Sequence, residues 1–78
     1  MNRFDKAKRI LKRELAARGI GYGELVEKLN MVGEEETYRS VSSKISRGTF
    51  SFAFFLACVE AIGMKKLNLE LEGEDSEG

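Results

Sequence analysis

Residues 38–63 read YRSVSSKISRGTFSFAFFLACVEAIG, and they hold the clearest helix signals in the chain. Its first ten residues carry large apolar side chains only at i, i+3 and i+7, the spacing of a helix with a narrow buried stripe. Those side chains are Tyr38, Val41 and Ile45. Gly48 follows, and glycine ends helices because it adopts the left-handed conformation without a Cβ penalty. The stretch therefore predicts a helix that begins at Thr37 or Tyr38 and ends at Arg47.

The second part, from Ser51 to Ile62, predicts a helix that is apolar almost all round. One side carries Phe52, Phe55, Leu56, Val59 and Ile62, and another carries Phe54, Cys58 and Ala61. A helix of this kind lies at the centre of a core or partly in a subunit interface.

The remaining glycines extend this pattern toward the N-terminus. Glycines recur at intervals of 14 or 15 residues, each after an apolar-periodic stretch, at positions 19, 33, 48 and 63. They predict four helices in an all-α domain. The first buries Phe4, Ala7, Ile10, Leu11 and Leu15, and the second covers residues 22–32. Beyond Gly63, the alternating residues 67–71 predict a short β-strand, and residues 72–78 an acidic disordered tail.

Length and composition limit the function. A chain of 78 residues forms one domain, which we place at residues 1–71. The chain has no His and a single Cys, Cys58, so His-based catalysis, imidazole or multi-cysteine metal sites and an internal disulfide are all excluded. We expect no enzyme activity, no cofactor and no small-molecule substrate. The longest apolar run has eight residues, so we expect no membrane span and a reducing, cytoplasmic location.

The net charge of zero conceals a block pattern. Residues 1–18 carry seven basic side chains against two acidic ones, and residues 39–48 carry three basic side chains and no acid. Glu-rich segments between and after these blocks offset them. The third helix accordingly has a polar, cationic side opposite its apolar stripe, made of Arg39, Ser40, Ser43, Ser46 and Arg47 and flanked by Ser42 and Lys44. Such a side either donates to phosphates and base edges in DNA or is ordinary solvated surface.

Two family resemblances bear on that choice. The run from Lys44 to Ser51 with Phe54-Phe55-Leu56 resembles an uncharacterised bacterial family of domains of unknown function, over about residues 11–69. The run from Val41 to Gly48, with Glu60-Ala61-Ile62-Gly63 later, resembles the helix-turn-helix of phage-repressor-like (Cro/C1-type) regulators. The second resemblance implies a compact four-helix, lambda-repressor-like domain that binds double-stranded DNA with its third helix in the major groove.

Carried over by position, the resemblance implies DNA contacts by Tyr22, Gly23, Arg39, Ser42, Ser43, Lys44, Arg47 and Thr49. Tyr22 and Gly23 would lie near a phosphate at the start of the second helix. Thr49 would contact the backbone from the loop after the third. The turn between these helices is longer than in the usual motif, and Ser42 stands where an apolar residue is common.

Two charged segments allow more than one interpretation. Glu34-Glu35-Glu36 precedes the third helix, which the resemblance makes the DNA-recognition helix. The tract either complements the positive end of the helix dipole and points away from DNA, or leaves docking to the C-terminal half of the helix. The basic side of the first helix either contacts flanking phosphate, pairs with the acidic blocks, or is solvated.

We therefore expect a sequence-specific DNA-binding protein, a small bacterial transcriptional regulator that acts as a homodimer. The predicted dimer forms through the fourth helix and the strand 67–71, which pairs with a second copy or with the N-terminal residues of its own chain. The alternative is a protein-protein interaction module that keeps the fold without binding DNA.

Overall fold

The computed structural model describes residues 2–67, and within that range the chain forms four helices and no strand. They are α1 (Arg3–Ala17), α2 (Tyr22–Met31), α3 (Tyr38–Arg47) and α4 (Phe52–Ile62). The all-α prediction is confirmed for these residues. The predicted strand, apart from Leu67, and the predicted acidic tail 72–78 lie outside the described residues.

The helix boundaries follow local capping chemistry. Three helices begin with a side-chain oxygen that accepts a backbone N–H three residues later, from Asn2, Thr37 and Ser51. Such a cap satisfies one of the N–H groups that have no partner inside a helix. All four glycines predicted to end helices have a positive φ, between 68° and 92°. The prediction of four helices, each ending at or just before a glycine, is therefore confirmed.

The core lies between the helices and consists of aliphatic side chains with one aromatic ring and one thiol. Its buried members are Leu11, Leu15, Leu25, Leu29, Val41, Ile45, Phe54, Ala57 and Cys58. In this core α2 packs against both α3 and α4, and α1 packs against α3. The chain bends by 118° between α3 and α4. No single helix within residues 2–67 is long and apolar enough to cross a membrane.

Two predicted core residues are exposed. Phe4 is 57% and Tyr38 60% exposed. Each lies in the first turn of its helix, at the edge of the bundle, where there is no second layer to cover it. The narrow stripe of α3 is therefore reduced to Val41 and Ile45, which are both fully buried.

Only one of the two apolar sides of α4 faces the core. The side of Phe54 and Cys58 faces the core, whereas Phe52 is 71% and Leu56 44% exposed on the other. The core side is the one with the smaller residues at positions 57, 58 and 61, which allow α2 to approach closely.

Helices α1 and α3 run side by side in opposite directions. At one end, the Gly48 backbone lies so close to Phe4 that a Cβ on the glycine would overlap the Phe4 carbonyl oxygen. At the other end, Tyr38 shares a groove with Lys12 and Ala16. Because of this arrangement, one side of α1 flanks α3 along its length.

Candidate nucleic-acid interface

The outer side of α3 presents two arginines. Val41 and Ile45 hold the opposite side of the helix in the core, so Arg39 and Arg47 are exposed. Neither arginine has a carboxylate partner in the part of the chain that the structure describes. Ser43 lies half-buried between them. The residues 39, 43 and 47 form one line, because side chains four apart in a helix share a face.

Lys44 lies on a different side of α3. Its Nζ is 2.7 Å from Oε2 of Glu36 and 4.8 Å from the centre of the Phe54 ring. The lysine thus spans from α3 to α4 and has its charge matched within the chain. The sequence predicted an acid-free cationic side. The residues of the helix itself fit that description, but Glu36 from the preceding segment joins Lys44 at its border.

Glu36 is held by three groups. Its carboxylate accepts from the Ser40 hydroxyl at 2.6 Å as well as from Lys44, and its backbone N–H donates to Oδ1 of Asn30 at 3.2 Å. Burial disfavours the charged carboxylate, but the hydrogen bonds from Lys44 and Ser40 outweigh that effect and lower the pKa of Glu36. The negative charge is therefore stable at neutral pH and is directed toward Lys44.

This arrangement separates Glu36 from the other two glutamates of the tract 34–36. The Glu36 side chain is only 8% exposed, whereas Glu34 and Glu35 are exposed. The start of α3 is capped by a capping box between Thr37 and Ser40. Glu36 bonds to the side chains of Ser40, in the first turn, and Lys44, in the last turn, instead of to the N–H groups of the helix. No spacing rule predicted this contact, because Glu36 lies before the start of α3 and the i, i+4 rule applies only within a helix.

The first turn of α2 lies beside the first turn of α3. The rings of Tyr22 and Tyr38 meet edge to face, with centroids 6.0 Å apart. Together with Lys12 they line an open groove of about 300 Å³. Burial, and then the neighbouring Tyr38, raise the pKa of Tyr22, so its hydroxyl remains protonated.

The backbone of that α2 turn is uncapped. Helix α2 begins after Gly21, which has no side chain to bond the first N–H groups, in contrast to the three other helices. Gly23 is exposed in this first turn. These N–H groups, with the positive end of the helix dipole, form an environment that favours an anion.

Two lysines of α1 extend the basic surface. Lys12 is exposed in the groove with Tyr38, and Lys8 is half-buried one turn earlier on the same side of α1. Lys12 therefore lies beside the first turn of α3, and Lys8 follows the same side of α1 toward Phe4. The sequence left the role of the basic α1 face open, because periodicity alone does not show which helix lies beside it.

The remaining predicted residues lie at the edges of this surface. Ser42 is half-buried in α3, and Thr49 is exposed immediately after Gly48. Because Gly48 packs against Phe4, Thr49 and Arg47 lie close to the N-terminus of α1. The structure thus groups Tyr22 and Gly23 with the first turn of α3, and Thr49 with its last turn, while Lys44 is set apart.

The site offers hydrogen-bond donors and positive charge. Within residues 2–67 no cluster of three or more His, Cys, Asp or Glu side chains could hold a metal ion. Guanidinium, ammonium, hydroxyl and backbone N–H donors are the groups that bind phosphate and base edges.

Comparison with known proteins finds one family. The family described as "Domain of unknown function (DUF6471)" matches residues 4–67, which include all four helices apart from Arg3. No curated protein and no solved structure matches the chain.

Proposed function

The chain belongs to the DUF6471 family, and we propose that this member binds double-stranded DNA through the outer side of α3. The observation that carries the proposal is the pair Arg39 and Arg47. Both are exposed, and neither has a carboxylate partner within residues 2–67. Lys12, in the groove with Tyr38, adds a positive charge beside the first turn of the same helix. Unpaired, aligned guanidinium groups are suited to bidentate contacts with guanine edges or phosphates.

The dimensions of α3 fit a major groove. Eight residues separate Arg39 from Arg47, which corresponds to about 12 Å along the helix axis. At about 3.4 Å per base pair, the line 39, 43, 47 reaches three to four base pairs. We propose that these three residues contact bases, with Ser42 at the edge of the contact.

The groups around α3 supply phosphate contacts. The uncapped N–H groups of Tyr22 and Gly23, next to Lys12, form one anion-binding position. Thr49 forms another, at the opposite end of α3. Phosphate contacts of this kind set the register of the protein on DNA and contribute salt-dependent affinity.

We further propose that α2 and α3 form a helix-turn-helix of the phage-repressor-like type. The two helices pack against each other, and their first turns lie together through Tyr22 and Tyr38. The connection spans residues 32–37, so the turn is longer than usual. In this arrangement Lys44 positions α3 against α4 and Glu36, while the arginines face the groove. A small transcriptional regulator is the function that such a sequence-reading domain would serve.

The test measures affinity for DNA as a function of salt. Binding of the full chain to a random 20-base-pair duplex is followed by fluorescence anisotropy between 25 and 200 mM salt. The double variant Arg39→Ala/Arg47→Ala removes the two groups that carry the proposal. Lys65→Ala/Lys66→Ala removes the same charge from exposed residues after α4 and serves as the matched control.

We expect the arginine variant to bind the random duplex at least tenfold more weakly, about 1.4 kcal/mol, because affinity for such a duplex comes from cationic side chains near phosphates. We also expect its salt slope to be smaller by about one for each phosphate that the variant no longer neutralises. Equal loss in both double variants would mean non-specific attraction and would refute the role of α3. Selection of duplexes from a random pool then tests sequence specificity, and the absence of any enriched sequence contradicts the regulator proposal.

A chain that folds but binds no duplex supports the alternative, a protein-protein interaction module. The observation that favours it is the exposed apolar side of α4, with Phe52 71% exposed.

A further inference from the structure

Helix α4 has an apolar side that nothing within residues 2–67 covers. Its inner side is buried against α2 through Phe54, Ala57 and Cys58. On its outer side Phe52 and Leu56 are exposed, and Val59 is half-buried. A single exposed apolar residue needs no explanation, but large side chains contiguous along a helix indicate a contact surface.

The spacing on this side is that of a helix pair. Residues 52, 56 and 59 lie at i, i+4 and i+7, the seam by which one helix packs along another. Beside the seam, Phe50 and Phe52 each stack on Phe55 at centroid distances of 6.4 and 6.3 Å. These rings border an open apolar groove of about 350 Å³ that is completed by α1 residues such as Ala7 and Ile10. The seam and groove together can hold one helix with aromatic side chains along its edge.

The distribution of charge along α4 favours a second copy of the same helix as its partner. Glu60 is the one charged residue in α4, and it lies four residues after Leu56, just as Phe52 lies four residues before it. If two copies of α4 pair antiparallel with Leu56 at the two-fold axis, Glu60 of each copy lies opposite the first turn of the other helix. Carboxylates are stabilised at the positive N-terminal end of a helix. The outer side of α4 is therefore complementary to itself in both shape and charge.

We infer that the outer side of α4 is the interface of a two-fold symmetric homodimer, formed by antiparallel packing of α4 against α4 of a second copy. This surface is separate from the outer side of α3, so the inference does not depend on DNA binding. An 11-residue helix with a flanking groove gives an interface at the small end of known interfaces, below about 1,200 Å² in total. The dimer is accordingly weak and dissociates on dilution.

The experiment is sedimentation equilibrium of the full chain from about 5 μM to about 1 mM, a range that covers weak association. We expect the average mass to rise with concentration from 8.8 kDa toward twice that value. Leu56→Glu places two carboxylates together at the axis and should weaken the dimer at least tenfold. Met31→Glu, at an 83% exposed apolar residue of α2, is the matched control and should leave dimerisation unchanged.

A second pair of variants tests the antiparallel register. Phe52→Lys and Phe52→Glu remove the same ring, but only the lysine faces a carboxylate, Glu60 of the second copy. We expect the lysine variant to dimerise several-fold more tightly than the glutamate variant. Far-ultraviolet circular dichroism checks that each variant remains helical.

Three outcomes would overturn the inference. A mass of 8.8 kDa at every concentration means that there is no dimer. A dimer that is insensitive to Leu56→Glu, or equally sensitive to Met31→Glu, uses a different surface. Equal dimerisation of the two Phe52 variants contradicts the antiparallel register.

Discussion

The ammonium group of Lys44 bonds the carboxylate of Glu36 at 2.7 Å across the border between α3 and the segment that precedes it. The same lysine lies over the Phe54 ring, so one side chain connects the recognition candidate to the helix behind it. Glu36 is nearly buried and Lys44 is 43% exposed. The contact therefore keeps one glutamate of the acidic tract from facing the arginines on the outer side of α3.

This contact predicts an acid-sensitive component of stability. Because the pKa of Glu36 is lowered from its ordinary 4.5 in the folded chain, its contribution is complete above pH 4.5 and is lost as the pH falls through the folded-state pKa. Glu36→Gln should lower the free energy of unfolding by about 1.5–3 kcal/mol at pH 7, the range for hydrogen bonds to a charged group. The difference from the natural chain should shrink by pH 3. Urea unfolding at several pH values measures it, and a difference independent of pH contradicts the assignment.

Substitution by methionine is predicted to lower mainly the stability at Lys44 and mainly the DNA affinity at Arg47. Lys44→Met keeps an unbranched apolar stem over Phe54 but removes the bond to a buried carboxylate, so it should cost about 1–3 kcal/mol of stability. Arg47→Met alters an exposed side chain and should change stability by no more than about 0.5 kcal/mol. For DNA affinity, measured where both variants are folded, we expect the larger loss in Arg47→Met. The reverse order would make Lys44 the DNA contact.

Gly48 should be far less tolerant than the other helix-ending glycines. Both Gly48 and Gly63 have a positive φ, of 71° and 76°, but only at Gly48 would a Cβ overlap backbone, that of Phe4. Gly63→Ala should cost about 1–2 kcal/mol from the left-handed conformation alone. Gly48→Ala should cost at least about 2 kcal/mol more, because α1 and α3 must separate. Thermal unfolding followed by circular dichroism compares the two, and equal losses would show that the two helices do not approach as described.

The thiol of Cys58 should be unreactive in the native protein. The side chain is fully buried, and burial, followed by the charge of Glu36, raises the pKa of the thiol to about 12. Since the thiolate is the reactive species, a disulfide reagent at pH 8 should label the folded chain at least about a hundredfold more slowly than the chain in urea. Labelling then reports opening of the core, so Gly48→Ala should accelerate it. Rapid labelling of the native protein would mean that the packing of α4 against α2 does not cover Cys58.

Local features of the chain were predictable. The positions of the four helices followed from the glycine spacing and the capping residues, because caps and left-handed glycines act within a few residues of one another. Cys58, in a helix predicted to lie at the centre of a core or partly in an interface, is fully buried. The side of α3 that carries Arg39 and Arg47 was also predictable, since a stripe of two fully buried residues, Val41 and Ile45, leaves only one orientation for the helix.

Features that depend on contacts between distant residues were not predictable. Helix α4 is apolar on both sides, so its pattern could not show that Phe54 faces inward and Phe52 outward. Likewise the charge pattern could not show that Lys44 pairs with Glu36, because the sequence also offered other acidic partners for Lys44 and other basic partners for Glu36.

Apolar periodicity and helix-ending glycines were therefore sufficient to predict four helices, the bounds of α2 to α4 to within one residue, and the polar side of α3. Only the packing of the helices fixes which apolar side of α4 is covered, and that Lys12 lies beside the first turn of α3. It also decided that Lys44 is neutralised while Arg39 and Arg47 have no acidic partner within residues 2–67. The physical reason is that burial and ion pairing depend on which helices become neighbours, and that choice is made by the packing of the whole core.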